Sequence, residues 1–149
     1  VPLAEAVLRR LKFDNNTIKD VCKLVRWHDF GMGCVPKKNT IRKLLGEVGK
    51  DFFPYIIEIK KADMAAQSDY KLEERQSQLA ELEKKYEEIV ADADCVRIKD
   101  LKVNGGDLIK LGIKPGPQMG EILQKLLDMV IEDPEKNDRE YLLDQVKQM

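Results

Sequence analysis

Between residue 68 and about residue 91, apolar side chains recur in a way that only a helix gathers on one side. Leu72, Leu79, Leu82, Tyr86 and Ile89 are separated by steps of seven, three, four and three, and Glu and Lys fill the other positions. Glu81 stands four residues before Lys85, the order in which an ion pair agrees with the helix dipole. Such a helix has to cover its apolar stripe. Two heptads are too few for a free coiled coil, so the stripe is expected to pack along the rest of the same chain. Aromatic residues are only 6% of the total, while Ala, Leu, Glu and Lys are plentiful, which favours helices elsewhere too. A chain of 149 residues fits one domain or two small ones and hides roughly two-thirds of its unfolded surface.

Helical spacing continues on either side of that segment. Ala4, Val7, Leu8 and Leu11 form a stripe over residues 4–12. The Asp14-Asn15-Asn16-Thr17 cluster then caps a second helix, which shows Ile18, Val21, Cys22, Val25 and Trp27 on one face and runs to Asp29. Gly31, Gly33 and Pro36 mark a loop. Asn39 is expected to cap a short helix carrying Ile41, Leu44 and Leu45, ended by Gly46 or Gly49. Residues 51–66 read as a further helix, with Pro54 in its first turn, where the missing N–H costs little. A short mixed segment, Cys95-Val96-Arg97-Ile98, precedes three helices over 106–111, 117–131 and 138–147. Asn137 and Glu140 are spaced as a capping box for the last one.

Counts of reactive residues exclude much chemistry. Cys22, Cys34 and Cys95 are odd in number and lack C-x-x-C spacing, which argues against a disulfide framework or zinc site and for a reducing cytoplasm. A single histidine, His28, excludes any site with two or more His ligands and leaves one candidate base for a Ser or Cys triad. No apolar run approaches the about 20 residues that span a bilayer, no signal peptide opens the chain, and no membrane partner is expected. Val1-Pro2, without an initiator Met, reads as the start of a piece of something longer. The net charge of −1 hides an excess of five positive charges over residues 1–68 and of six negative charges over 69–149. No global field announces a polyanion partner.

His28-Asp29 is the first candidate for chemistry, because a His-Asp pair is the core of metal-dependent HD phosphohydrolases. Such a site needs an earlier His and a later Asp to hold the ion that activates water. Asp63 could serve as the later Asp, but no earlier His exists here. The competing reading is that His28 and Asp29 end a helix and hydrogen-bond locally, with the helix dipole favouring a protonated ring. Glu81, Glu83, Glu87 and Glu88 read as a solvated helix face. Cys34 has no orienting third group and makes no case as a nucleophile.

Residues 104–120 (NGGDLIKLGIKPGPQMG) differ from the rest. Asp107 follows two glycines and opens a short helix; a tight turn over 112–116 launches a second, with Pro117 near its first position. The pattern predicts a helix-hairpin-helix-like unit. Gly116 would let a phosphate approach the backbone, free N–H groups at the next helix start bind anions, and Lys110 and Lys114 flank the turn. Contacts of that kind grip nucleic-acid backbones without reading sequence. A plain interhelical turn, with Gly and Pro present for geometry, accounts for the same pattern.

Several segments, read in order, resemble the C-terminal half of bacterial tRNA nucleotidyltransferases, the CCA-adding enzymes and their poly(A) polymerase relatives. Residues 8–13 (LRRLKF) and 21–29 (VCKLVRWHD) are similar to the later part of the HD-type domain that many of them carry. Residues 60–67 (KKADMAAQ) resemble the Ala-Asp-x-x-Ala-Gln segment ahead of a long charged helix. Residues 98–123 (IKDLKVNGGDLIKLGIKPGPQMGEIL) resemble the Asn-Gly-x-Asp-Leu and Gly-x-x-Pro-Gly-Pro-x-x-Gly signature, and 137–143 (NDREYLL) fits the tail. The head of these enzymes, with its Gly-Gly-Ser and Asp-x-Asp motifs, has no counterpart here, nor has the first HD-domain histidine segment.

The resemblance implies a tRNA-binding C-terminal fragment of an enzyme that adds CCA, or part of it, to tRNA 3′ ends, non-catalytic by itself. Its partners would be the tRNA elbow and acceptor stem and the parent's own N-terminal head. Backbone contacts carry over to Lys102, Asn104, Gly105, Lys110, Lys114, Gly116, Gln118 and Gly120. No cofactor is expected in this chain; Mg²⁺ with CTP and ATP would serve the absent head. His28, Asp29 and Asp63 would be an HD remnant that holds no metal alone. The expected fold is all-α, a helical bundle arrangement with one long amphipathic helix and a C-terminal helix-hairpin-helix-like unit. Its expected parts are the end of an HD-type domain (1–67), a connecting helix and linker (68–96) and a tail (97–149). An HD-type metal-dependent phosphohydrolase fragment and a helical protein-interaction module, docking through residues 72–89, are the alternatives.

Overall fold

In the computed structural model, which describes residues 1–149, eight α-helices and three 3₁₀ turns account for the regular structure and there is no β-strand. The all-α expectation holds. The residues gather into two compact units, Val1–Pro36 with Val48–Tyr86, and Lys37–Glu47 with Glu87–Met149.

The first unit holds α1 (Pro2–Arg10), α2 (Asn15–Trp27), a 3₁₀ turn (Lys50–Phe52), α4 (Phe53–Ala66) and α5 (Leu72–Ala91) as far as Tyr86. Asp14 starts α2 by accepting the Asn16 and Thr17 amides at 2.9 and 3.0 Å. The helix stops at Trp27, two residues short of the expected Asp29. Pro54 sits in the first turn of α4, as its chemistry requires. Phe53 is fully buried; Tyr86 stacks on it at 4.9 Å and Phe30 meets it edge-on at 6.2 Å. Leu79 and Leu82, from the stripe of the long helix, are buried as well. That helix begins at Leu72 rather than near residue 68. Arg75 donates to the carbonyls of Ser68 and Tyr70 at 2.6 and 2.9 Å, and Lys71 adopts φ +54°, so the preceding residues are held as a loop.

The second unit holds α3 (Lys38–Val48) as far as Glu47, the end of α5, a 3₁₀ turn (Ile98–Asp100), α6 (Gly105–Lys110), α7 (Pro117–Glu132), a 3₁₀ turn (Pro134–Lys136) and α8 (Arg139–Lys147). Helices α6, α7 and α8 pack on one another over one buried cluster that includes Val103, Leu108, Leu126, Val130 and Leu142. Arg42 of α3 reaches Asp94 at 2.7 Å and the Ile131 carbonyl at 3.1 Å, with both charged residues buried. Gly46 lies where a Cβ would stand 2.4 Å from the Val96 carbonyl oxygen, so only glycine permits that approach.

Two expected caps are corrected. Asn39 is not the cap of α3 but its second residue; it accepts the Thr40 amide at 2.7 Å and donates to Glu132 at 2.5 Å. Asn137 does not cap α8. Asp138 does, accepting the Glu140 and Tyr141 amides at 3.0 Å each. Asn137 instead accepts the Lys102 amide at 3.0 Å and donates to the Asp100 carbonyl at 3.1 Å, tying the segment before α6 to the start of α8.

Candidate nucleic-acid interface

The hairpin is assembled from its first cap onward. Asn104 occupies the N-cap of α6, where its side-chain oxygen accepts the Gly106 and Asp107 amides at 2.8 and 3.3 Å. Asp107 answers by accepting the Asn104 amide at 3.2 Å, which completes a capping box. The other Asp107 oxygen receives Arg139 of α8 at 2.7 Å. Hydrogen bonding from the Arg139 guanidinium first, and from the Asn104 amide second, holds this buried carboxyl below the usual carboxylate range.

Helix α6 closes with a Schellman motif: the Gly112 amide bonds to the Ile109 carbonyl at 2.9 Å and the Ile113 amide to the Leu108 carbonyl at 3.1 Å. That closure needs the left-handed φ of +88° that Gly112 supplies. Gly116 then leads into α7 with no side-chain cap and with Pro117 in the first turn. The Met119 amide turns back to the Gly116 carbonyl at 3.1 Å. A Cβ at Gly112, Gly116 or Gly120 would meet nothing within 4 Å, so these stretches of backbone face open space.

The residues singled out in the sequence divide by role. Lys102, Lys110, Lys114, Gly116, Gln118 and Gly120 are exposed on or beside the hairpin. The Lys102 backbone is braced by Asn137 while its side chain stays exposed. Asn104 is occupied as a cap. Gly105 is half-buried, and a Cβ there would stand 3.0 Å from Met119 Sδ, so its smallness serves α6–α7 packing. Arg139 and Asn137 were not recognised as parts of this arrangement. Each acts on residues more than thirty positions away, a separation at which local spacing carries no signal.

His28 and Asp63 line one cavity in the first unit. The His28 ring meets the Val25 carbonyl through Nδ1 at 2.9 Å and Asp29 through Nε2 at 3.1 Å, while Asp63 accepts Gln67 at 2.5 Å. No three His, Cys, Asp or Glu side chains stand together as a metal-binding group. No helix is long and apolar enough to cross a membrane.

A capped helix, a glycine-closed turn and an uncapped second helix, with cations around them, form a surface able to hold phosphates. Comparison with known proteins gives it a family. The family model for tRNA nucleotidyltransferase domain 2 matches residues 3–146. The chain belongs to that family. This tRNA nucleotidyltransferase domain is 52% identical over 44 residues to the CCA-adding enzyme of Limosilactobacillus fermentum, covering 30% of this chain and 11% of that protein. It is 42% identical over 52 residues to the CCA-adding enzyme of Ligilactobacillus salivarius (34% of this chain, 13% of that one). To the CCA-adding enzyme of Streptococcus agalactiae it is 48% identical over 50 residues (33% and 12%). The matched stretches thus span little more than a tenth of these relatives. No solved structure is a significant match.

Proposed function

We propose that this domain is the tRNA-gripping C-terminal part of a cytoplasmic enzyme that adds CCA, or part of it, to tRNA 3′ ends. The catalytic head, which would use CTP, ATP and Mg²⁺, lies outside these residues in this reading. The observation that carries it is the α6–α7 hairpin, with its Schellman closure and open glycine backbone, which leaves Lys114 exposed in the turn before the uncapped start of α7 and Lys110 exposed at the end of α6, 4.0 Å from Asp107. Phosphate oxygens of the elbow and acceptor stem would meet Lys102, Lys110 and Lys114 and the backbone at Gly116, Gln118 and Gly120. Asn104 and Gly105 act at one remove, by shaping α6 and its packing. Such contacts fix register without reading bases.

Binding of this kind releases counterions and weakens steeply with salt, with a slope of about 0.9 per duplex phosphate contacted. The test is fluorescence anisotropy of labelled tRNA lacking its CCA end across several salt concentrations. The Lys110→Glu/Lys114→Glu variant is expected to bind more weakly and to lose at least about 1.8 from the slope, two contacts' worth. Equal affinity and slope for wild type and variant would overturn the assignment, as would no binding by the wild type at low salt.

A further inference from the structure

The first unit contains a cavity of about 240 Å³ that the tRNA reading leaves unused, bounded by α4, α5 and the loop after α2. Ile59, Met64, Leu79 and Leu82 give it an apolar floor. Six polar side chains also line it, His28, Lys60, Asp63, Gln67, Arg75 and Gln78, and their existing bonds decide what it can attract.

Asp63 is taken up by Gln67 at 2.5 Å, and the His28 ring is held by Asp29 and the Val25 carbonyl. Arg75 has no carboxylate partner. Its terminal nitrogens donate to Gln67 Oε1 and to the carbonyls of Ser68 and Tyr70, all neutral acceptors, and its Nε is enclosed with no acceptor at all. Lys60 is half-buried, and that desolvation lowers its pKa against the opposing pull of Asp29 and Asp63. One guanidinium compensated only by dipoles therefore stands over an apolar surface, beside a partly dehydrated ammonium that Asp29 and Asp63 balance in part. A cation in that state gains from an anion that water no longer supplies. The volume lies below the about 300–1,000 Å³ of ordinary drug-sized pockets, which limits the occupant to a small molecule.

We propose that this cavity binds a small organic anion, its acidic group facing Lys60 and Arg75 and its apolar body lying on Met64, Leu79 and Leu82. The motif resemblance reads His28 and Asp63 of this cavity as an HD remnant, but neither it nor the family match gives Lys60 or Arg75 a role. The ligand is recognised here by cations and an apolar floor, since no cluster of metal-binding side chains is present.

Isothermal titration of the full chain with three probes tests the proposal: phenyl phosphate, inorganic phosphate and phenol. Phenyl phosphate is expected to bind at least tenfold more tightly than either of the others. Lys60→Gln removes a cation and Met64→Glu places a carboxylate on the floor, and each should weaken phenyl phosphate at least tenfold without moving the thermal midpoint. Both sites are used because Arg75 also holds the loop before α5, so its removal would confound folding with binding. Phenol matching phenyl phosphate would reduce the site to an apolar hollow, and inorganic phosphate matching it would reduce it to surface charge; either result overturns the proposal. No binding of phenyl phosphate at millimolar concentration, or wild-type binding by both variants, overturns it equally.

Discussion

Replacing Arg42 with Met would strip the guanidinium from a pair that water cannot reach. Arg42 and Asp94 are 7% and 8% exposed, and Nε stands 2.7 Å from Oδ2. The same guanidinium also satisfies the Ile131 carbonyl at 3.1 Å. Removing Arg42 takes from a buried carboxylate the guanidinium that faces it, a loss of about 3–5 kcal/mol for pairs this enclosed. That is a large fraction of the about 5–15 kcal/mol that holds a domain folded. At about 2–4 °C per kcal/mol for a chain of this length, the melting midpoint should fall by about 6–20 °C. Replacing both residues, as Arg42→Met/Asp94→Leu, removes the charges together and should return stability to within about 1 kcal/mol of wild type or raise it. Urea unfolding followed by far-UV circular dichroism on the wild type, both single variants and the double variant measures the coupling. If the single variant lost less than about 1 kcal/mol, the pair would be behaving as a solvated surface pair. If the double variant cost the sum of the singles, there would be no coupling; either result refutes the argument.

Three further outcomes follow from particular contacts. Asn104→Ala removes the side chain that caps α6 and should cost about 1 kcal/mol, whereas Asn104→Asp keeps an acceptor and should cost much less; thermal melts of the two distinguish them. Gly46→Ala forces a Cβ to within 2.4 Å of the Val96 carbonyl oxygen and should destabilise by about 1–3 kcal/mol through overpacking; an unchanged melt would contradict the packing described. The Asp107, Asp138 and Asp14 carboxyls are held low, mainly by bonds from Arg139, the Tyr141 amide and the Thr17 side chain respectively. The folded state therefore binds fewer protons than the unfolded one on acidification. Their stabilisation is complete above the ordinary carboxylate value near about 4 and is lost as pH falls through the lower folded values. Melting midpoints recorded down to strongly acidic pH should drop in that window, and less steeply in Asp107→Asn.

Helix bodies were legible because the apolar steps that define them are local. Asp14 could be read as a cap for the same reason, since its acceptor bonds run only two and three residues along the chain. Asn39 and Asn137 are the same kind of residue in similar surroundings, yet neither caps. Glu132, 93 positions from Asn39, draws on its amide group, and the Lys102 amide and Asp100 carbonyl engage Asn137. Asp138, one step further on, takes the cap instead. Spacing also says which side chains share a face without saying whether anything covers it. The stripe of α1 is helical as expected, but no residue of that helix is buried, and Leu3 and the following Leu11 are 78% and 59% exposed.

The hairpin was legible for a related reason and opaque for another. A Gly-Ile-Lys-Pro-Gly-Pro run admits few backbone paths, and Gly112 at φ +88° and Pro117 in the first turn of α7 are the ones its chemistry prefers. What each glycine is for was not readable from the run. Gly105 and Gly116 look alike in sequence, but one faces Met119 Sδ and the other faces nothing, a difference set by where α7 lies against α6. Net charge would have misled, because the acidic half of the chain carries the exposed lysines of the hairpin. Close contacts with phosphate depend on charges within about a Debye length, about 8 Å at physiological salt, so in the proposed interface the local placement of Lys110 and Lys114 bears more directly on phosphate than the six negative charges in excess over all of residues 69–149. On the proposed reading, a rise in salt should therefore weaken tRNA binding even though the half of the chain proposed to grip it is acidic.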